Sequence, residues 1–276
     1  MRQIKAKEIE DTVAQLCLEA NRNLPKDVLA AIKEGIDKER GRPKKILQKI
    51  IENCSLAERE KLSLCQDTGL PIVFIDIGRN LIIKGDLEKA INRGIKEGYQ
   101  KGYFRNSVVD PFLRKNPQSI PAVIHLNISA SDKMKIALMP KGFGSENASA
   151  TYMFEPTATI EEIGDWVVKI IKEKGANACP PLFIGIGIGG SLDKAVLLSK
   201  QALLRPVDKV NSRLNLTKLE QEFLTRINKL GIGPLGLGGR TTALRVRILV
   251  YPTHIAGLPV ALNISCWALR RASRII

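Results

Sequence analysis

The chain has 276 residues, 44% of them hydrophobic, enough to bury a substantial core, and no apolar run approaches the roughly 20 residues that span a bilayer. Lys and Arg number 43 against 28 Asp and Glu, a formal charge of +15 that favours an anionic partner, while an aromatic content of only 5% argues against a base-stacking nucleic-acid platform. The charged, amphipathic start "MRQIKAKEIEDTVAQ" lacks the uninterrupted apolar segment of a secretory leader, so the expected address is the cytoplasm, with no membrane partner.

Three helices are expected first. "IKAKEIEDTVAQLCLEANRNL" repeats apolar residues at three-to-four spacing, "PKDVLAAIKEGIDKER" opens with a proline suited to a first turn, and "PKKILQKIIENCSLAERE" follows. After Cys65 the texture changes to short β-branched runs: "PIVFIDIG", "AVIHLNI", "KIALMP", "LFIGIGIG", "RVRILVY" and "PVALNI". Helical stretches such as "DLEKAINRGIKEGYQKGY" and "IEEIGDWVVKIIKEKG" separate them. The expectation is an α/β protein with a helical lead-in over residues 1–60 and a mixed α/β body over 61–276. No repeat, low-complexity segment or long Gly/Ser linker divides the chain, so a single domain is expected.

The five cysteines are odd in number, and no CxxC pair occurs, so neither a disulfide scaffold nor a zinc ribbon is indicated. Cys17 and Cys54 lie within helical patterns among apolar neighbours and read as small core hydrophobes. Cys65, Cys179 and Cys266 lie instead at element boundaries, in "CQDTG", "NACPPLFIGIGIGG" and "NISCWALRRAS". Three thiolates from three loops are able to hold a metal or cluster with one coordination position open; on spacing alone, three unrelated buried cysteines are the favoured account of the pattern.

Further stretches accompany them in order: "FRNSVVDP" with Arg105, "PKGFGSENASA" with Gly144, the glycine-dense "IGPLGLGGRTTAL", and "YPTHIAGLPVALNISCWALRR" with His254. Together these resemble the α subunit of the two-subunit class I fumarate hydratases and L-tartrate dehydratases, iron-sulfur hydro-lyases, from Cys65 to Arg271. The resemblance implies that Cys65, Cys179 and Cys266 ligate a [4Fe-4S] cluster, and that Gln66, Asp67 and Gly144 stand at the substrate. It implies that Arg105 grips a substrate carboxylate, for which a planar, always-charged fork is suited. His254 matches a histidine near the catalytic aspartate, and Asp67 with His254 is the expected acid. Single-chain members of the family continue into a second domain with further substrate-binding groups, whereas this chain ends at "RRASRII". A separate β subunit is therefore expected to supply the remainder of the site. The expected reaction is the interconversion of fumarate and (S)-malate, with L-tartrate dehydration as the alternative.

Other readings of the same residues stay open at this point. Asp67 and Thr68 suit a turn before a strand, Arg105 suits a pair with Asp110, and His254 suits a core position. "GIGIGG", before the helix "SLDKAVLLSKQALL", resembles a phosphate-binding strand-loop-helix, which would make the chain a nucleotide or nucleic-acid binding module. Close backbone approach to the Cys179 ligand is the preferred explanation of those glycines.

Overall fold

The computed structural model describes residues 2–276. In chain order the elements are β1 (Arg2–Lys5), α1 (Ala6–Arg22), α2 (Lys26–Lys38), α3 (Gly41–Glu60), β2 (Leu70–Gly78), β3 (Leu81–Lys84) and α4 (Leu87–Lys101). There follow β4 (Val123–Ser129), β5 (Met134–Lys141), α5 (Phe143–Glu146), β6 (Ala150–Phe154), α6 (Ile160–Lys174) and β7 (Leu182–Gly189). The last are α7 (Leu192–Leu204), α8 (Leu214–Asn228), β8 (Ala243–Tyr251), β9 (Leu258–Ser265) and β10 (Ala272–Ile275). The mixed α/β class is as expected, and each of the six strand-like runs forms a strand. No helix among the described residues is long and apolar enough to cross a membrane.

Two compact units emerge. The first comprises the residues up to Pro25, with Asn53–Phe143 and Arg270–Ile276. Its main sheet has the order β10-β5-β2-β4, with β4 parallel to β2 and β5 antiparallel to both β2 and β10. β2 is apolar along most of its length because one strand face meets the α1 and α4 layer, through residues such as Val13, Leu16, Ile91 and Ile95. The short strands β1 and β3 pair with each other, and Ile4 is the one fully buried residue of β1.

The second unit comprises Lys26–Glu52 and Gly144–Leu269. Its sheet has the order β6-β9-β7-β8, with β7 parallel to β8 and antiparallel to β9. The helix α2 joins this unit through carboxylates that cap backbone: Asp27 Oδ2 accepts from Val207 N at 2.8 Å and Glu39 Oε1 from Thr241 N at 2.6 Å. Glu34 adds an ion pair to Arg245 at 2.7 Å. The helical lead-in is thus shared, with α1 packed in one unit and α2 in the other.

The glycines of "GIGIGG" have a packing role that sequence reading missed. Gly185 and Gly187 lie inside β7, not in a loop, and a Cβ on either would overlap a backbone oxygen of α7, Ser199 O and Ala195 O respectively. The close approach of these two glycines is to the crossing helix rather than to Cys179. A strand with alternating glycines lets α7 settle on its backbone.

Candidate functional site

"CQDTG" forms a pinned loop in the first unit. Before it, Leu64 N donates to Asn21 O at 2.8 Å, and Asn53 Nδ2 donates to Leu64 O at 3.0 Å, so α1 and α3 both hold the approach. After it, Gly69 sits at φ +77 against the backbone of Pro140 and Lys141, at a distance no side chain would permit. The buried Tyr99 hydroxyl donates to the carbonyls of Thr68 (2.8 Å) and Gly69 (3.1 Å), and burial pushes that phenol up, keeping it protonated.

Between these anchors each residue has a distinct role. Cys65 is half-buried and Gln66 exposed. Asp67 does form the turn that its type suggested, Oδ1 accepting from Gly69 N at 3.0 Å, but its second oxygen accepts from Phe143 N at 2.9 Å, which fixes the carboxylate across a distant loop. Thr68 is buried and donates its hydroxyl to the carbonyl of Arg105. The Arg105 side chain is exposed, and among the described residues it makes no ion pair. The alternative pairing with Asp110 does not occur, because Asp110 Oδ1 is taken by Phe112 N (2.9 Å) and Leu113 N (2.7 Å), bonds that hold its carboxyl below the usual range.

Sequence reading did not single out the supports of this loop. Arg270 is buried, with Nη1 donating to Asn21 Oδ1 at 3.0 Å, and Arg270 Nη2 and Asp67 Oδ2 both approach Gly142, within 3.6 Å and 3.2 Å of where a Cβ would stand. Lys141 is buried beside them, its Nζ 3.4 Å from Gly142 O.

In the second unit three loops converge. Trp267 N donates to Cys179 O at 3.3 Å, which brings the Cys266 and Cys179 turns together. A Cβ on Gly144 would stand 3.9 Å from Asn177 O, so the Gly144 turn faces the same segment. Leu235 N donates to Pro180 O at 2.8 Å, giving the glycine-dense loop its task of bracing the Cys179 turn. Cys179 is exposed and held at φ +52, a conformation that costs a non-glycine residue free energy. Glu146 ties the Gly144 turn to its surroundings: it pairs with Lys200 of α7 and accepts from Asn263 Nδ2 of β9 at 3.2 Å.

His254 is not brought to that end. It lies in the exposed turn between β8 and β9, with Nδ1 accepting from Ala256 N at 3.1 Å, which excludes a core role. Thr253 Oγ1 donates to Gly190 O at 2.9 Å, so the turn sits beyond the C-terminal end of β7. Cys179 and Cys266 lie beyond its opposite end, since Phe183 pairs with Ser265. Eight residues of extended strand span roughly 25 Å. Within this unit strand β9 therefore separates His254 from the Cys179 and Cys266 turns, and Asp67, its expected partner as the acid, belongs to the first unit.

The donor chemistry fits a thiolate-bound group. Burial pushes the Cys54 thiol up to about 11 and that of Cys17 further, which makes both poor thiolates. Cys65, Cys179 and Cys266, by contrast, are all at least partly open to solvent and lie on turns braced from several sides.

Comparison with known proteins places this arrangement. Residues 10–275 match the family model described as fumarate hydratase (fumerase). A Methanocaldococcus jannaschii protein provisionally named L(+)-tartrate dehydratase subunit alpha is 42% identical over 275 residues, covering 96% of each chain. L(+)-tartrate dehydratase subunit alpha of Escherichia coli K12 is 27% identical, covering 97% of this chain and 90% of its own. A Geobacillus stearothermophilus protein provisionally named fumarate hydratase class I is 32% identical, with 95% of this chain matching 53% of its length. The class of protein defined in this way is a hydro-lyase. The chain belongs to the fumarate hydratase (fumerase) family.

Proposed function

We propose that the chain is the α subunit of an iron-sulfur hydro-lyase acting on a four-carbon dicarboxylic acid, interconverting fumarate and (S)-malate together with a separate β subunit. The observation that carries the substrate class is Arg105: an exposed guanidinium with no ion pair among the described residues, whose backbone Thr68 fixes to the Cys65–Asp67 loop. An unpaired arginine in a positioned loop is suited to bidentate capture of a carboxylate.

Cys65, Cys179 and Cys266 would hold a [4Fe-4S] cluster, which supplies Lewis-acid assistance to departure of the substrate hydroxyl. The chain's own groups do the rest of what this subunit contributes. Arg105 binds a carboxylate, and the exposed amide of Gln66 offers both a donor and an acceptor to the polar substrate. Asp67 is held in one orientation by the N–H groups of Gly69 and Phe143, as a group that must meet a reacting atom requires, and it is assigned the proton transfer at the hydroxyl. The base that removes the carbon-bound proton is assigned to the β subunit.

L-Tartrate is the second reading, favoured by the names of two relatives. The deciding experiment is co-expression with the β-type chain, anaerobic purification, iron and sulfide analysis, and assay on malate, fumarate and L-tartrate. About four iron and four sulfide per chain with fumarate hydration supports the first reading. Activity confined to L-tartrate replaces it with the second, and a metal-free, inactive pair removes both.

A further inference from the structure

Residues 103–119 of the first unit form an arm of which the site as described uses Arg105 alone. Val108 and Gln118 close its base by mutual backbone bonds of 2.8 and 2.7 Å, and Ser107 N adds a third to Gln118 O at 3.0 Å. Asp110 organises the tip, accepting Phe112 N and Leu113 N on Oδ1, while Arg114 N donates to Asp110 O at 3.0 Å. The tip is thus pre-formed, yet it presents Phe112 and Leu113 to solvent at 91% and 72% exposure, with Tyr103 at 96% near the base. Large apolar groups displayed on a rigid loop pay little ordering entropy on burial, the property of interface anchors.

The charges on the arm are one-sided. Asp110, the one acidic residue of 103–119, spends its carboxylate on backbone N–H groups, whereas Arg105, Arg114 and Lys115 make no ion pair among the described residues. A second copy of a chain of formal charge +15 would bring like charges against these cations. The complementary surface is an apolar socket with an acidic rim. The arm is continuous at its base with Arg105, whose carbonyl Thr68 holds to the Asp67 loop, so a partner seated on the arm is joined to the carboxylate-binding segment through the chain.

We infer that the 103–119 arm is the docking element for the β subunit, Phe112 and Leu113 filling an acid-rimmed apolar socket on that chain. The inference rests on the two-subunit reading above. The test measures binding of the β-type hydro-lyase chain from the same genome to the cluster-loaded chain by calorimetry. The variants are Phe112→Ser with Leu113→Ser, and Val210→Ser, an exposed apolar residue of the other unit, as control. The expected result is a loss of affinity of ten-fold or more in the double variant, an unchanged control, unchanged thermal unfolding of both, and weaker wild-type binding as salt rises. Wild-type affinity in the double variant overturns the arm assignment and leaves the two-subunit reading standing. A wild-type chain that binds no β chain overturns both. A double variant that instead loses self-association in sedimentation identifies a second copy as the occupant and also overturns the assignment.

Discussion

The buried hydroxyl of Thr68 donates to the main-chain carbonyl of Arg105, 37 residues away in sequence. One hydrogen bond thereby couples the loop of a proposed cluster ligand to the loop of a proposed carboxylate receptor. Thr68→Val keeps the shape and removes the donor, so it is expected to cost about 1 kcal/mol of stability and to raise KM for the diacid several-fold with the cluster absorbance unchanged. Thr68→Ser is expected to restore KM. Steady-state kinetics on the assembled enzyme checks this, and an unaltered KM in Thr68→Val removes Thr68 from the site's support.

Arg105→Lys keeps the charge and loses the planar fork. It is expected to lower kcat/KM by roughly 1 to 3 kcal/mol without loss of the cluster. Stability is expected to stay within about 0.5 kcal/mol, because the side chain is exposed and has no ion pair to lose. Unchanged kinetics would return Arg105 to the solvated surface.

Serine at Cys65, Cys179 or Cys266 is expected to abolish the cluster absorbance of the anaerobically purified protein, whereas Cys17→Ser and Cys54→Ser are expected to preserve it. An intact cluster in Cys266→Ser defeats the three-cysteine assignment.

Burial raises the Cys54 thiol to about 11 in the folded chain, against about 8.5 for an unperturbed cysteine. The folded state therefore retains a proton that the unfolded chain releases, and the contribution is complete below about pH 8.5 and declines as pH rises toward 11. Denaturation midpoints taken from pH 8 to 10.5 are expected to fall less steeply for Cys54→Ala than for the unaltered chain. Parallel slopes would show that this thiol does not titrate with unfolding.

Glu146 lies between Lys200 and Asn263, and all three are largely shielded from water. Glu146→Gln leaves the Lys200 ammonium without its counter-charge and is expected to destabilise by about 1 to 3 kcal/mol. Lys200→Met in the same chain is expected to recover part of that loss. A double-mutant cycle in urea measures the coupling, and strict additivity would show that the pair contributes nothing.

The sequence alone determined the three lead-in helices, α4, α6 and α7, the six principal strands and the family, because each rests on local information. Apolar spacing of two or of three to four marks which face of a segment is buried, and "CQDTG" or "NISCWALRR" carries its chemistry in adjacent residues. Only the tertiary structure decided what the special residues do, because that depends on partners remote in the chain. The glycines of β7 are explained by a helix that crosses them, and Asp110 is withheld from Arg105 by backbone amides that no pattern displays. His254 and Cys266 are twelve positions apart and look adjacent in the motif, but an extended strand converts each intervening residue into about 3.3 Å of separation, whereas Cys179 and Cys266, far apart in sequence, meet at one end of a sheet.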